Sequence, residues 1–264
     1  MNSIFLINTP YISIPDQDSF SYGGSQQWFS RTSLFGTDAR LSRFGCGNIA
    51  LSDICLYLTR KLHLSTPETS EAESSNHPIS KQTYLNYARM MNRRYTFTLP
   101  FCGCTGFSLS MSLNHFFLRR RLPYRAHYML FNTQKRMLSA IQTSLSQDIP
   151  IILAIGPNFP NFRGKHGITF YTSSHRKTPE KNISFLPSAN HQVHAHYVTI
   201  TGLLYISPSC PMLSISSWGK QYYISYRELR NYITKYGTPL TSSIIYIRPL
   251  RRNTAKKSIS KRSK

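Results

Sequence analysis

A chain of 264 residues with 40% hydrophobic and 13% aromatic content can bury a full core and reads as one globular domain. Its five cysteines, Cys46, Cys55, Cys102, Cys104 and Cys210, have no framework spacing, which speaks against a disulfide-stapled secreted fold and for a reducing, cytoplasmic setting. The formal charge of +22 raises polyanion binding as a function class; yet eight of the 32 Lys/Arg lie in residues 248–264, and residues 1–247 carry 24 basic against ten acidic residues, +14.

In chain order, Met1–Pro10 lacks the basic start and the apolar length of a secretory signal, and no later run is long enough to span a membrane, so no membrane partner is expected. Residues 1–43 read as an extended opening segment, with Gly23-Gly24 marking a turn ahead of Gln26, Gln27 and Trp28. A first helix is predicted over Cys46–Lys61, with Ile49, Ile54, Cys55 and Leu58 as its apolar stripe. Residues 64–80 contain Glu68, Glu71 and Glu73 and no Lys or Arg, the composition of an inserted polar loop. Helices follow at about 81–93, 107–121 and 133–146, the second of these entered through the Pro100–Gly106 loop.

After Pro150 the period changes. Ile149–Ile155 is a short apolar run of buried-strand type, His194–Tyr205 alternates, and Met212–Ser217 and Gln221–Ile224 flank Trp218-Gly219-Lys220. Ser225 to Glu228 is a capping box that opens a helix to Tyr236, and Ser242–Ile247 is the last strand. Helices first and an antiparallel sheet afterwards is the α+β class, here one domain over 44–250 followed by a basic disordered tail over 251–264.

Cys46 lies between Gly45 and Gly47 at the start of a helical pattern, where unpaired N–H groups and the helix dipole favour a thiolate. His196 lies 150 residues downstream on an alternating strand, and a cysteine at a helix start paired with a histidine is how a thiol nucleophile and its base are laid out. Gly45 and Gly47 would let a substrate backbone approach.

Gly45-Cys46-Gly47 with Ala50-Leu51, Ile149-Pro150-Ile151-Ile152, His196-Tyr197-Val198-Thr199-Ile200-Thr201-Gly202 and Ser216-Ser217-Trp218-Gly219 occur in an order that resembles the papain-like cysteine peptidases, nearest the bacteriocin-processing type that cleaves double-glycine leaders. The resemblance spans about residues 20–250. It implies a papain-like fold of helices packed on an antiparallel sheet, and thiol-dependent cleavage or transfer of an acyl group of a peptide or protein substrate, without cofactor or metal. It makes Cys46 the nucleophile, His196 the base, and Trp218 the shield of the histidine's hydrogen bond.

Two positions depart from the family. Ser216 stands where the family has Asn or Asp to orient the imidazole, and a hydroxyl supports an imidazolium less strongly than a carboxylate. Arg40 stands where the family has its oxyanion glutamine, which leaves Gln27 or its neighbour Gln26 to reach the site from the opening segment. His191, His194 and His196, with Cys102 and Cys104, are weighed as zinc ligands and set aside, because Cys-x-Cys clamps one tetrahedral ion poorly and His191 falls on the other strand face. Two alternatives to the peptidase remain: a catalytically silent papain-like module that binds peptides or acidic partners, and a basic polyanion-binding protein. The sequence leaves the oligomeric state open.

Overall fold

The computed structural model describes residues 3–7, 11–16, 19–30, 36–62, 71–74, 78–100, 103–130, 133–161, 164–174, 184–190, 192–207, 210–238 and 240–250. The tail over 251–264, most of the 64–80 loop, Cys102 and His191 lie outside the described residues. In chain order the elements are β1 (Ile4–Phe5), β2 (Pro15–Asp16), β3 (Ser19–Phe20), α1 (Thr37–Phe44), α2 (Cys46–Lys61), α3 (Glu71–Ser74), α4 (Lys81–Met91), α5 (Gly106–Arg119), β4 (Tyr124–Tyr128) and α6 (Gln134–Ser146). They continue with β5 (Ile151–Ile155), β6 (Tyr171–Ser174), β7 (Ser184–Pro187), β8 (His196–Ser207), β9 (Cys210–Ser217), β10 (Lys220–Ser225), α7 (Tyr226–Tyr236) and β11 (Ser243–Pro249).

The large sheet runs β4-β11-β5-β8-β9-β10-β6-β7, with β1 added to β8, and its pairings are antiparallel. The α+β class thus holds, with the long helices gathered before most of the sheet. β5 is buried at every position, as its unbroken apolar run demands of a central strand. α2 is predicted as an amphipathic helix with one stripe, but Gly47 through Thr59 are all buried. It is the central helix, contacting β8 and β5 with α4 and α5 beside it, and a helix enclosed on all sides keeps no polar face.

Three features depart from the sequence reading. The opening segment is not extended throughout: a 3-10 turn at Gln26–Trp28, capped by the Ser25 hydroxyl, and helix α1 lie within it. Tyr124–Tyr128 is a strand among the helices, because its alternation of Arg125 and His127 with buried Tyr124 and Ala126 suits the sheet edge. Tyr171–Ser174 and Ser184–Pro187 add a further hairpin at the opposite edge. α5 begins with a reciprocal Thr105–Ser108 capping box, and Ser225 caps α7 through the Glu228 N–H, which fixes the starts of both helices.

Candidate active site

Cys46 occupies the first turn of α2 because Gly45 ends α1 and caps α2 at once. The Gly45 N–H donates to the Leu41 carbonyl at 2.9 Å, while its own carbonyl accepts from the Ile49 N–H at 2.9 Å. A side chain at position 45 would overlap Leu41, and one at position 47 would stand 3.0 Å from Leu109 and 3.4 Å from Tyr197. Gly45 and Gly47, expected to face a substrate, are both buried and face protein. Their small size lets α2 begin abruptly and pack against its neighbours.

His196 is the first residue of β8, opposite Ile155 at the end of β5. Cys46 and His196 line one small cavity of about 10 Å³, room for a single water, together with Gln26, Asp53, Ser216, Ser217 and Trp218. Backbone N–H groups of Tyr197, Gly47 and Cys46 itself surround the Cys46 sulfur, so the thiol sits beside the residue that follows His196.

Ser217, not Ser216, holds the imidazole. The Ser217 hydroxyl is 2.8 Å from His196 Nε2, whereas the Ser216 hydroxyl donates to the Tyr22 carbonyl at 2.7 Å. The assignment of Ser216 as orienter is therefore corrected. Adjacent strand residues point to opposite faces, so only one of the two serines can face His196, and the Thr199–Ser216 register sets which. With Nε2 engaged, Nδ1 is the ring nitrogen left for proton exchange.

Trp218 stacks on His196 with centroids 4.4 Å apart and planes 18° from parallel. Trp218 and Gly219 form the two-residue link between β9 and β10, with φ of +50° and +75°. Such a primed turn suits glycine at both places, and a tryptophan in the left-handed region is strained. The strain sits where the indole covers the histidine.

The opening segment is fastened to this turn. Tyr22 N–H donates to the Gly219 carbonyl at 2.8 Å, Gly219 N–H donates to the Gly24 carbonyl at 3.0 Å, and the Gly24 N–H in turn donates to the Asp53 carboxylate. This clamp brings Gln26 to the cavity. Its Nε2 donates to the Ser42 carbonyl at 3.3 Å, and its buried Oε1 has no partner among the described residues. Gln27, the glutamine preferred from the sequence, is exposed and does not line the cavity. In a 3-10 turn, neighbouring side chains diverge by about a third of a revolution, so one residue of offset decides which points inward.

Asp53 was not singled out in the sequence, although it lies two helical turns after Cys46 on the same face of α2. It is 1% exposed, accepts from Tyr84 Oη at 2.6 Å as well as from Gly24, and is pushed up to about 7 by burial, against the lowering effect of those two bonds. Burial likewise pushes the Cys46 thiol up, and it holds the His196 imidazole down to about 3. The cavity thus holds a neutral thiol and a neutral imidazole at rest, not a thiolate–imidazolium ion pair. Cys104 packs against the Gly47 position, and burial pushes its thiol up to about 11.

His194 was expected to share a strand face with His196. It precedes β8, and Ala195 between them has φ +49°, which breaks the alternation that the shared face assumed. No protein-family model, curated protein or solved structure matches this chain.

Proposed function

We propose that the chain has a papain-like fold and is a thiol-dependent hydrolase or acyltransferase acting on a peptide or related acyl group. The observation that carries this reading is a cysteine in the first turn of a buried helix sharing a cavity with a histidine whose Nε2 is held by Ser217 and whose ring is held by Trp218.

Because thiol and imidazole are both neutral at rest, His196 works as a general base. Nδ1 takes the thiol proton as sulfur attacks the acyl carbon, and returns it to the leaving group; water then repeats the cycle to release the acid. In the tautomer this step needs, Ser217 accepts from Nε2–H and orients the ring, while the indole face stabilises the imidazolium as it forms. Gln26 lines the same cavity, and its Nε2 hydrogen not given to the Ser42 carbonyl is the side-chain donor within this reading for the developing oxyanion.

The test is acylation by p-nitrophenyl acetate, read by intact-protein mass spectrometry. One acetyl group is expected on Cys46, transient in the unaltered protein, with acylation slowed in His196→Ala and abolished in Cys46→Ala. Undiminished hydrolysis by Cys46→Ala would end the proposal.

A further inference from the structure

At the edge of the sheet, two and three strands away from the β8 strand that carries His196, β11 and β4 carry a second cluster. Arg125 pairs with Arg248 and His127 pairs with Tyr246, so all four side chains share one face of the sheet. The Arg248 guanidinium lies 5.0 Å over the Tyr246 ring, and the His127 ring stacks on Tyr246 with centroids 5.5 Å apart and planes 23° from parallel. Burial first, and then the two arginines, hold the His127 imidazole below its ordinary value.

Two arginines directly opposite on adjacent strands repel each other, and among the described residues no carboxylate forms an ion pair with either. No Asp or Glu occurs in residues 74–147 or after Glu228. Asp148, the next acid along from α6, is buried and engaged by Lys61, Tyr57 and the Ile7 N–H. Tyr246 and Arg248 also form one side of a cleft of about 510 Å³, whose other wall is the Thr143, Ser144 and Gln147 side of α6.

We propose that this cleft binds single-stranded nucleic acid, with Arg248 at its wall and Arg125 beside it on the same sheet face meeting phosphates, and with Tyr246 stacking an unpaired base on the ring face that Arg248 uncovers as it turns to a phosphate. The site is separate from Cys46 and does not depend on the hydrolase reading. An anion between the two guanidiniums removes their repulsion, and planar guanidiniums match phosphate geometry. The cleft volume is of the size that encloses a small planar ligand, and hydroxyl and amide groups along α6 offer hydrogen bonds to base edges. A duplex keeps its bases inside and would present only phosphates, whereas an unpaired base can enter such a cleft.

The test is fluorescence anisotropy of the full chain with a fluorescein-labelled oligouridylate over a salt series, with a duplex of equal length and inorganic polyphosphate as competitors. Arg125→Gln with Arg248→Gln is expected to weaken strand binding by on the order of tenfold or more and to lower the logarithmic salt slope by about 1.4, two phosphates at the single-strand value. Arg227→Gln with Lys235→Gln removes the same charge from exposed positions elsewhere and should weaken binding far less. Tyr246→Leu is expected to lose on the order of tenfold for the strand and nothing for polyphosphate. Equal losses in the two charge-matched pairs, no effect of Tyr246→Leu, or duplex bound as tightly as strand would each overturn the proposal. Relieving the repulsion should leave the melting temperature of the arginine variant unchanged or higher, so a loss of binding is not a loss of fold.

Discussion

Two adjacent serines divide the work at the candidate site. Ser217 touches His196, and Ser216 ties the sheet to Tyr22. Ser217→Ala should therefore lower the acylation rate by about tenfold, the worth of roughly 1.4 kcal/mol for an orienting hydrogen bond. Ser216→Ala should leave the rate within about twofold and cost on the order of 1 kcal/mol of stability. Stopped-flow acylation and thermal melting separate the two outcomes, and a larger rate loss at Ser216 would reverse the assignment. The neutral resting pair carries its own signature. Since burial pushes the Cys46 thiol up and the His196 imidazole down, alkylation by iodoacetamide should climb steadily with pH beyond the ordinary thiol range. A plateau already present at mildly acidic pH would mean a thiolate–imidazolium pair instead.

At the scale of elements, α3 is a single turn held against the core by the Arg60 guanidinium, which donates to the Ala72 carbonyl, and by a buried ion pair. Arg120 Nη2 lies 2.8 Å from Glu73 Oε2, the two side chains are 5% and 0% exposed, and Tyr87 Oη donates to Glu73 Oε1 at 3.3 Å. Arg120 follows the last residue of α5, so this pair connects the acidic loop to the helical layer. Removing one partner strands the other charge, so Glu73→Gln should cost about 3–5 kcal/mol and lower the melting temperature by about 10 °C. Glu73→Leu with Arg120→Met removes both charges and should recover most of that loss; a double variant no better than the single one would refute the account. The β9–β10 turn is the other element under tension, holding Trp218 at φ +50° so that its ring covers His196.

For the whole molecule, two buried groups titrate with opposite effect. Asp53 is raised from 3.8 to about 7, so its contribution is complete below about pH 4 and is lost as pH rises through 7. His196 is lowered from 6.5 to about 3, so its contribution is complete above about pH 6.5 and is lost as pH falls through 3. Each shift corresponds to on the order of 4 kcal/mol, and over the shared window from about pH 4 to 6.5 the two slopes nearly cancel. The unaltered protein should show a nearly flat melting temperature across that window. Asp53→Asn should leave the histidine slope alone, with stability rising as pH rises, and His196→Gln should leave the opposite slope. Identical pH profiles for all three proteins would show that neither group is shifted as described.

Much of this molecule is written locally. The span of α2, the starts of α5 and α7, the buried strand β5 and the β9–β10 hairpin follow from hydrophobic period, capping residues and a two-residue turn, all of which act within a few residues of chain. Placing Cys46 at a helix start and His196 on a strand required no more than that, although the strand begins at His196 and not at His194. Which of two serines faces the histidine, and which of two glutamines reaches the cavity, was decided by strand register and by the phase of a 3-10 turn. Those are set by pairing with residues far away in sequence. Asp53 was hidden for a related reason: a lone carboxylate in an apolar helix gains meaning only when Gly24 and Tyr84 close over it. The Arg125–Arg248 face was hidden too, since it joins strands more than a hundred residues apart. Local pattern therefore determined the elements and the chemically able residues, whereas long-range packing decided their partners, their burial and hence their protonation.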